Sequence, residues 1–145
     1  MDASGQHRNP GHSNHWGDSV VEIVDQLIAD AIKRRASDIH LEPFEAFTQI
    51  RFRIDGVLHP QPSVPAGMQR RIAARVKVMA GLDVAERRLP QDGRIRVSTR
   101  RGTEANLRAN TLPTLWGEKI VLRILESPRC IPSIDQLGMD SKQLD

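Results

Sequence analysis

The sequence predicts an α+β domain in which helices pack against an antiparallel sheet, and three observations predict it. Two segments repeat apolar residues with a helical period, and several short runs alternate apolar with polar residues as half-buried strands do. An Asp-Gly pair between two of the alternating runs is typical of a tight antiparallel hairpin. The predicted order of elements is α-β-β-α-β-β-β, and 145 residues suffice for one hydrophobic core.

The first helix follows a capping box, because Ser19 precedes Glu22 by three residues. Its apolar stripe falls on one helical face and contains Val20, Val24, Leu27, Ile28, Ala31 and Ile32. A strand comes next, in which Ile39 and Leu41 alternate with polar residues until Pro43.

The second strand alternates apolar and polar side chains, so one of its faces carries two guanidinium groups. The apolar set is Ile50, Phe52 and Ile54, and the polar set is Arg51, Arg53 and Asp55. The pair Asp55-Gly56 predicts a hairpin to the run that begins at Val57. Pro60, Pro62 and Pro65 are expected to end that run. A second helix is then expected, with an apolar stripe of Met68, Ile72, Val76 and Met79 and a C-terminal cap at Gly81.

The rest of the domain is expected to be a loop and three short strands. The loop covers 89–93, and the strands are expected at 94–99, 105–111 and 119–125. Turns at Arg101-Gly102 and at 115–117 link them, and a small turn or helix is expected around 134–139. Residues 1–17 have no apolar periodicity, so a disordered tail is predicted there, followed by one domain over 18–139.

The net charge of +3 is unevenly distributed, since residues 66–108 hold eleven basic and four acidic residues. Seventeen of the 21 basic residues are arginine, whose planar fork suits bidentate contacts with phosphate. This favours a nucleotide or nucleic-acid partner, although a GC-rich genome would produce the same bias. Aromatic residues make up 3% of the chain, which removes the usual stacking platform for single-stranded nucleic acid. We therefore expect no specific nucleic-acid partner and leave nonspecific binding through 66–108 as a weaker hypothesis.

Metal binding and catalysis are both disfavoured by the pattern of residues. Asp38, His40 and Glu42 share one strand face, but no fourth ligand is suggested, and a salt-bridged outer face is the favoured interpretation. His7, His12 and His15 are irregularly spaced in the tail and predict no metal site. Neither G-x-x-x-x-G-K-[ST] nor G-x-S-x-G occurs, so no phosphate cradle and no catalytic residue are predicted. Hydrolysis of ATP by this chain alone is not expected.

The sequence predicts neither a membrane-spanning segment nor a signal peptide. No run approaches the roughly 20 apolar residues that span a bilayer, and the first residues lack the apolar core of a signal peptide. The single cysteine, Cys130, excludes a disulfide within the chain. A cytoplasmic location is the expectation.

Five blocks in order carry a resemblance to one family. They read ASDIHLEP at 36–43, RFRIDGVLH at 51–59, RVKVMAGLDVAERRLPQDGRI at 75–95, LRANTLPTLWGEKIVLRIL at 107–125 and LGM at 137–139. Together they resemble the N-terminal domain of the type II secretion and type IV pilus assembly ATPases. The chain departs from the usual pattern at Asn106, where an acidic residue is common, and at Asn110, where serine is common.

The resemblance implies a PAS-like domain in front of a RecA-like ATPase domain that binds ATP and Mg. It implies a hexameric ring at the cytoplasmic face of the inner membrane, peripheral to it, with the inner-membrane secretion or pilus platform proteins as partners. By motif match it also implies that Arg53, Arg75, Arg94 and Arg108 contact the nucleotide. The nucleotide loop of the family lies beyond the LGM block, so residues 140–145 are expected to begin the linker to that ATPase domain.

Two questions stay open from sequence. Arg94, Arg108 and Arg123 lie on separate predicted strands, and spacing alone does not show whether they converge. The alternative function is a free-standing PAS-like module that docks a protein partner or an anionic ligand through its basic helix.

Overall fold

A computed structural model describes residues 15–98 and 104–126 of the chain. The helices are α1 (Val20–Lys33) and α2 (Gln69–Ala80), and the 3-10 turn Ala66–Met68 leads into α2. The strands are β1 (Asp38–Pro43), β2 (Phe47–Ile54), β3 (Val57–Pro65), β4 (Gln91–Ser98), β5 (Glu104–Thr114) and β6 (Gly117–Glu126). No helix among these residues is long and apolar enough to cross a membrane.

The strands form one six-stranded sheet in the order β3-β2-β1-β6-β5-β4, and every neighbouring pair is antiparallel. The predicted α+β class and the predicted order of helices and strands are confirmed, and the run that begins at Val57 forms one more full strand, β3, before α2. The central strand β1 pairs with β2 on one side and with the last strand, β6, on the other. The two sequence-distant halves of the sheet therefore meet at β1 and β6.

Both helices cover one face of the sheet, because the strands alternate apolar and polar residues. The apolar strand residues that face the helices are buried and include Ile39, Leu41, Ile50, Phe52, Ile95, Leu107, Ile120 and Leu122. They form a single core with the buried faces of α1 and α2. The opposite face of the sheet carries polar and charged side chains and has no helix over it among the described residues.

The local signals at the start of α1 and at the β2–β3 turn are confirmed. The Ser19 hydroxyl accepts a hydrogen bond from the Glu22 N–H at 3.1 Å, and Glu22 Oε1 accepts one from the Ser19 N–H at 3.2 Å. Asp55 and Gly56 both have positive φ, 52° and 80°, as the predicted two-residue hairpin requires. Gly81 ends α2 in the left-handed conformation.

Strands β3 and β4 are longer than predicted. The three prolines do not end β3, which runs to Pro65 as the outermost strand of the sheet. Proline is tolerated there because an edge strand needs only part of its N–H groups for pairing. The segment expected as a loop at 89–93 already joins β4 at Gln91.

The disordered tail predicted for residues 1–17 does not extend to Trp16. Trp16 is buried against the core, 2% exposed, and its Nε1 donates a hydrogen bond to the Pro62 carbonyl at 2.8 Å. Its ring lies 6.3 Å from that of Phe52 between centroids. Other predictions lie outside the described residues: the turn at Arg101-Gly102, the element around 134–139, Cys130, His7, His12 and the linker at 140–145.

Candidate functional site

The open face of the sheet carries four arginines in one row across five strands. The strand register places Arg53 of β2 beside Asp38 of β1, and Asp38 beside Arg123 of β6. It continues from Arg123 to Arg108 of β5, and from there to Arg94 of β4. We call these five residues the arginine row. Adjacent strands lie about 4.8 Å apart, so the members of the row follow one another across one face of the sheet.

Asp38 is the buried member of the arginine row. Its side chain is 5% exposed, and Oδ1 accepts a hydrogen bond from Arg123 Nε at 2.9 Å. Arg53 Nε lies 3.6 Å from Oδ2, which also accepts a hydrogen bond from the Ser37 hydroxyl at 3.0 Å. The carboxylate is thus neutralised from both neighbouring strands, as a buried charge requires.

Arg108 pairs with an acidic residue on the same face. Its Nε and Nη2 donate to the two carboxylate oxygens of Asp92 at 3.1 and 2.7 Å, which is a bidentate geometry. The hydrogen bond from Arg108 lowers the pKa of Asp92 and raises the pKa of Arg108. Both side chains are about half exposed, so the pair is accessible to solvent.

Three of the four arginines proposed from sequence are brought together, and the fourth is not. Arg53, Arg94 and Arg108 belong to the arginine row. Arg75 lies on α2, which packs against the other face of the sheet, and its buried Nε has no hydrogen-bond partner among the described residues. Arg75 therefore lies on the opposite side of the sheet from the other three arginines.

Arg123 is not among the four arginines that the resemblance assigns to the nucleotide, although its convergence with Arg94 and Arg108 was an open question from the sequence. Its side chain is 65% exposed and lies between Asp38 and Arg108 in the register. The signal was present, because Arg123 alternates with the buried Leu122 on a predicted strand. What the sequence could not supply is the pairing of β6 with β1, which puts Arg123 at the centre of the row.

The expected salt-bridged face of β1 is present. Besides Asp38, Glu42 accepts a hydrogen bond from Arg51 Nη2 at 3.2 Å. Between them, His40 has a buried Nδ1 that finds no hydrogen-bond partner in the described part of the chain, and burial of the ring lowers the pKa of His40. Within residues 15–98 and 104–126, no three metal-binding side chains are grouped closely enough to hold a metal ion.

A buried polar network joins α2 to the sheet on the covered face. Gln69 Oε1 accepts a hydrogen bond from the Thr48 hydroxyl at 2.7 Å, and its Nε2 donates to the Glu118 carbonyl at 2.6 Å. The Glu118 carboxylate forms an ion pair with Lys77. The sequence analysis did not predict this network, because Gln69 and Lys77 lie outside the apolar stripe predicted for this helix.

A shallow groove of about 420 Å³ opens beside the N-terminus of α2. Its rim includes two cationic side chains, Arg70 and Arg87, and the indole of Trp116 in the β5–β6 turn. Trp116 is 47% exposed. The groove therefore combines positive charge with an exposed aromatic ring.

These features define a class: an α+β domain with one helix-covered face and one arginine-bearing open face. Residues 15–145 match the family described as Type II/IV secretion system protein. The chain belongs to this family, and the resemblance to the N-terminal domain of the type II secretion and type IV pilus assembly ATPases is confirmed.

Similar curated proteins come from both branches of the family. The chain is 51% identical over 124 residues to the type IV pilus assembly ATPase PilB of Pseudomonas aeruginosa, which covers 86% of this chain and 22% of that protein. It is 44% identical over 119 residues to the type II secretion system protein E of Xanthomonas campestris, covering 82% and 21%. The chain thus spans about a fifth of the length of these relatives. The fold is similar to that in the X-ray structure of the Legionella pneumophila ATPase DotB, with a TM-score of 0.51 and 15% sequence identity. The match covers 83% of this chain and 33% of that chain.

Proposed function

We propose that this chain is a non-catalytic domain of a type II secretion or type IV pilus assembly motor that presents arginines to nucleotide. In this proposal, a RecA-like ATPase domain holds ATP and Mg, in the same polypeptide or in a neighbouring subunit of a hexamer. The motor would act at the cytoplasmic face of the inner membrane together with its platform proteins. The family membership and the names of the relatives support this setting.

The arginine row is the observation that carries the proposal. Arg123, Arg108 and Arg94 lie on three consecutive strands and are all exposed on the open face. Transfer of a phosphoryl group spreads negative charge over oxygen atoms, and arginines positioned in advance stabilise that charge. A cradle of backbone N–H groups is not part of the row, so the row assists a nucleotide that another domain binds.

A chimera tests this role directly. The 124-residue segment of the P. aeruginosa relative that matches this chain is replaced by the corresponding residues here, and ATP turnover is compared among variants. We expect R108Q, R123Q and R94Q each to lower kcat by about ten- to a thousandfold, less than the loss of a lone arginine finger because neighbouring arginines remain. R96Q is the matched control, since Arg96 is an exposed arginine on the same strand face one row away. Unchanged kcat in all three row variants would reject the proposal.

A second candidate function is a module that docks a partner through the basic helix. The groove rimmed by Arg70, Arg87 and Trp116 supports it, because cationic rims with an aromatic anchor suit acidic protein segments. The variant R70E/R87E in the same chimera separates the two functions. Loss of pilus assembly with normal ATP turnover would favour docking, and normal assembly would exclude this groove.

A further inference from the structure

Asp38 has an unusual place on the open face: it is a buried acidic group at the centre of a cationic surface. Its side chain is 5% exposed, whereas that of Arg123, which it contacts, is 65% exposed. An exposed arginine ordinarily samples many rotamers, and fixing it costs conformational entropy. Contact with a buried carboxylate on a central strand holds the guanidinium of Arg123 at one place.

The atoms used in these contacts leave the ligand-binding edge of Arg123 available. Asp38 engages Arg123 through Nε at 2.9 Å, and no described residue accepts a hydrogen bond from its Nη1 or Nη2. Those two nitrogens form the edge of the guanidinium that can bind an oxyanion in a bidentate manner. Arg53 likewise approaches Asp38 through Nε, while its Nη1 donates to the Gly56 carbonyl at 2.8 Å.

We propose that Asp38 is a positioning residue, which orients Arg123 and Arg53 so that the arginine row binds the oxyanions of a linear polyphosphate. The inference rests on the proposed function, because it concerns the same arginines. Asp38 does not touch the ligand. It acts by reducing the entropy lost when Arg123 is ordered around a phosphate group.

A purely electrostatic role for Asp38 predicts the opposite result. Asp38 carries a negative charge beside the arginines, so its removal raises the net charge of the face by one. If Asp38 only neutralised charge, anions would bind more tightly without it, above all at low ionic strength. Positioning instead predicts weaker binding, and the sign of the change decides between the two.

The test uses the 145-residue chain and inorganic tripolyphosphate, with binding followed by amide chemical shifts. We expect D38N and D38A to weaken binding roughly two- to tenfold, the effect of releasing one long side chain. E42Q is the matched control, since Glu42 pairs with Arg51 on the same strand face outside the row. It should leave binding unchanged or slightly tighter. Unchanged or tighter binding in both Asp38 variants overturns the inference.

A spectroscopic measurement distinguishes a loss of anion binding caused by a mobile Arg123 from a loss caused by unfolding. The Arg123 Nε–H signal should exchange slowly with water in the native chain and rapidly in D38N, at a temperature where the circular dichroism of the sheet is retained. A rapidly exchanging Arg123 signal in the native chain contradicts the inference. R123K should weaken binding as D38N does, and the double variant D38N/R123K should show little further loss. Additive losses would show that Asp38 acts apart from Arg123.

The two proposals fail in different ways. If the native chain binds no tripolyphosphate, the role of Asp38 in anion binding is rejected, whereas the proposed function is decided by the ATP turnover of the chimera, in which another domain holds the nucleotide. If the native chain binds tripolyphosphate and the Asp38 variants bind it as well or better, only the role of Asp38 is rejected.

Discussion

Lys77 Nζ lies 2.8 Å from Glu118 Oε2 in the interior, where α2 packs against β6. The side chains are 1% and 6% exposed, so neither charge is solvated by water. Lys77 also donates a hydrogen bond to the Glu86 carbonyl in the segment that follows α2. The ammonium group of Lys77 therefore connects α2 to strand β6 and to the loop that leads to β4.

Removal of one partner should be strongly destabilising. In K77M the Glu118 carboxylate stays buried without its counter-ion, and we expect the free energy of unfolding to fall by about 3–5 kcal/mol. Urea denaturation followed by circular dichroism measures the change. The Arg51–Glu42 pair gives the control, since its side chains are 27% and 32% exposed and E42Q should cost about 1 kcal/mol or less.

The double variant K77M/E118L completes the test. It removes both charges, so its destabilisation should be clearly smaller than the sum for K77M and E118L. If the two single effects simply add, the pair is not energetically coupled and the prediction is wrong.

The local elements were predictable, whereas the contacts between distant strands were not. Alternation along the chain was enough to place Asp38 and Arg53 on polar faces, and the positive φ of Asp55 and Gly56 follows from their residue types. The Asp38–Arg123 contact spans 85 positions and requires β6 to lie beside β1. Pairing order depends on the packing of the whole sheet, which periodicity within a segment does not encode.

Trp16 illustrates a different limit of sequence reasoning. A lone tryptophan among polar residues has no periodicity, so nothing in its neighbourhood predicts burial. In the structure it packs near Phe52 and donates a hydrogen bond to the Pro62 carbonyl, which closes the end of the core beside α1. A residue that lies before a predicted domain boundary can therefore belong to the core.

Replacement of Trp16 should consequently destabilise the fold. We expect W16A to lower the free energy of unfolding by about 3–5 kcal/mol, because a large buried side chain is removed and leaves a cavity. W116A should cost far less, since Trp116 is about half exposed in a turn. In the single-tryptophan variant W116F, the fluorescence of Trp16 should be blue-shifted and poorly quenched by acrylamide. A red-shifted, readily quenched emission would contradict the burial of Trp16.

His40 predicts a specific pH dependence of stability. Burial of the ring lowers its pKa below the ordinary value of about 6.5, although the nearby charge of Asp38 opposes the shift. The unfolded chain then binds a proton at a higher pH than the folded protein, so His40 reduces stability as the pH falls through about 6.5 and has no such effect above it.

The variant H40Q tests this pH dependence. The loss of unfolding free energy between pH 7.5 and pH 5 should be smaller in H40Q than in the native protein. H59Q removes an exposed imidazole from β3 and is the control for the substitution itself. If H40Q and the native protein lose the same stability over this range, the protonation of His40 is not coupled to folding.

The pKa of Asp92 shows whether Arg108 donates its hydrogen bond to that carboxylate. Its measurement tests the contacts on the open face without an enzyme assay. The hydrogen bond from Arg108 is the main reason that the pKa of Asp92 is lowered, and the charge of Arg94 has a smaller effect in the same direction. R108Q should therefore raise the pKa of Asp92 towards its ordinary value, and R94Q should raise it less. Carboxyl carbon shifts recorded during an acid titration measure both changes.

The same signal should respond to a bound anion. A polyphosphate that binds Arg108 competes with Asp92 for its guanidinium, so saturation with tripolyphosphate should raise the pKa of Asp92 in the native chain. In R108Q the anion should have little effect, because the hydrogen bond is already lost. If the anion raises the pKa of Asp92 equally in both proteins, the anion binds away from Arg108. If the anion leaves the pKa of Asp92 unchanged in the native chain, Arg108 keeps its contact with Asp92 when the ligand binds.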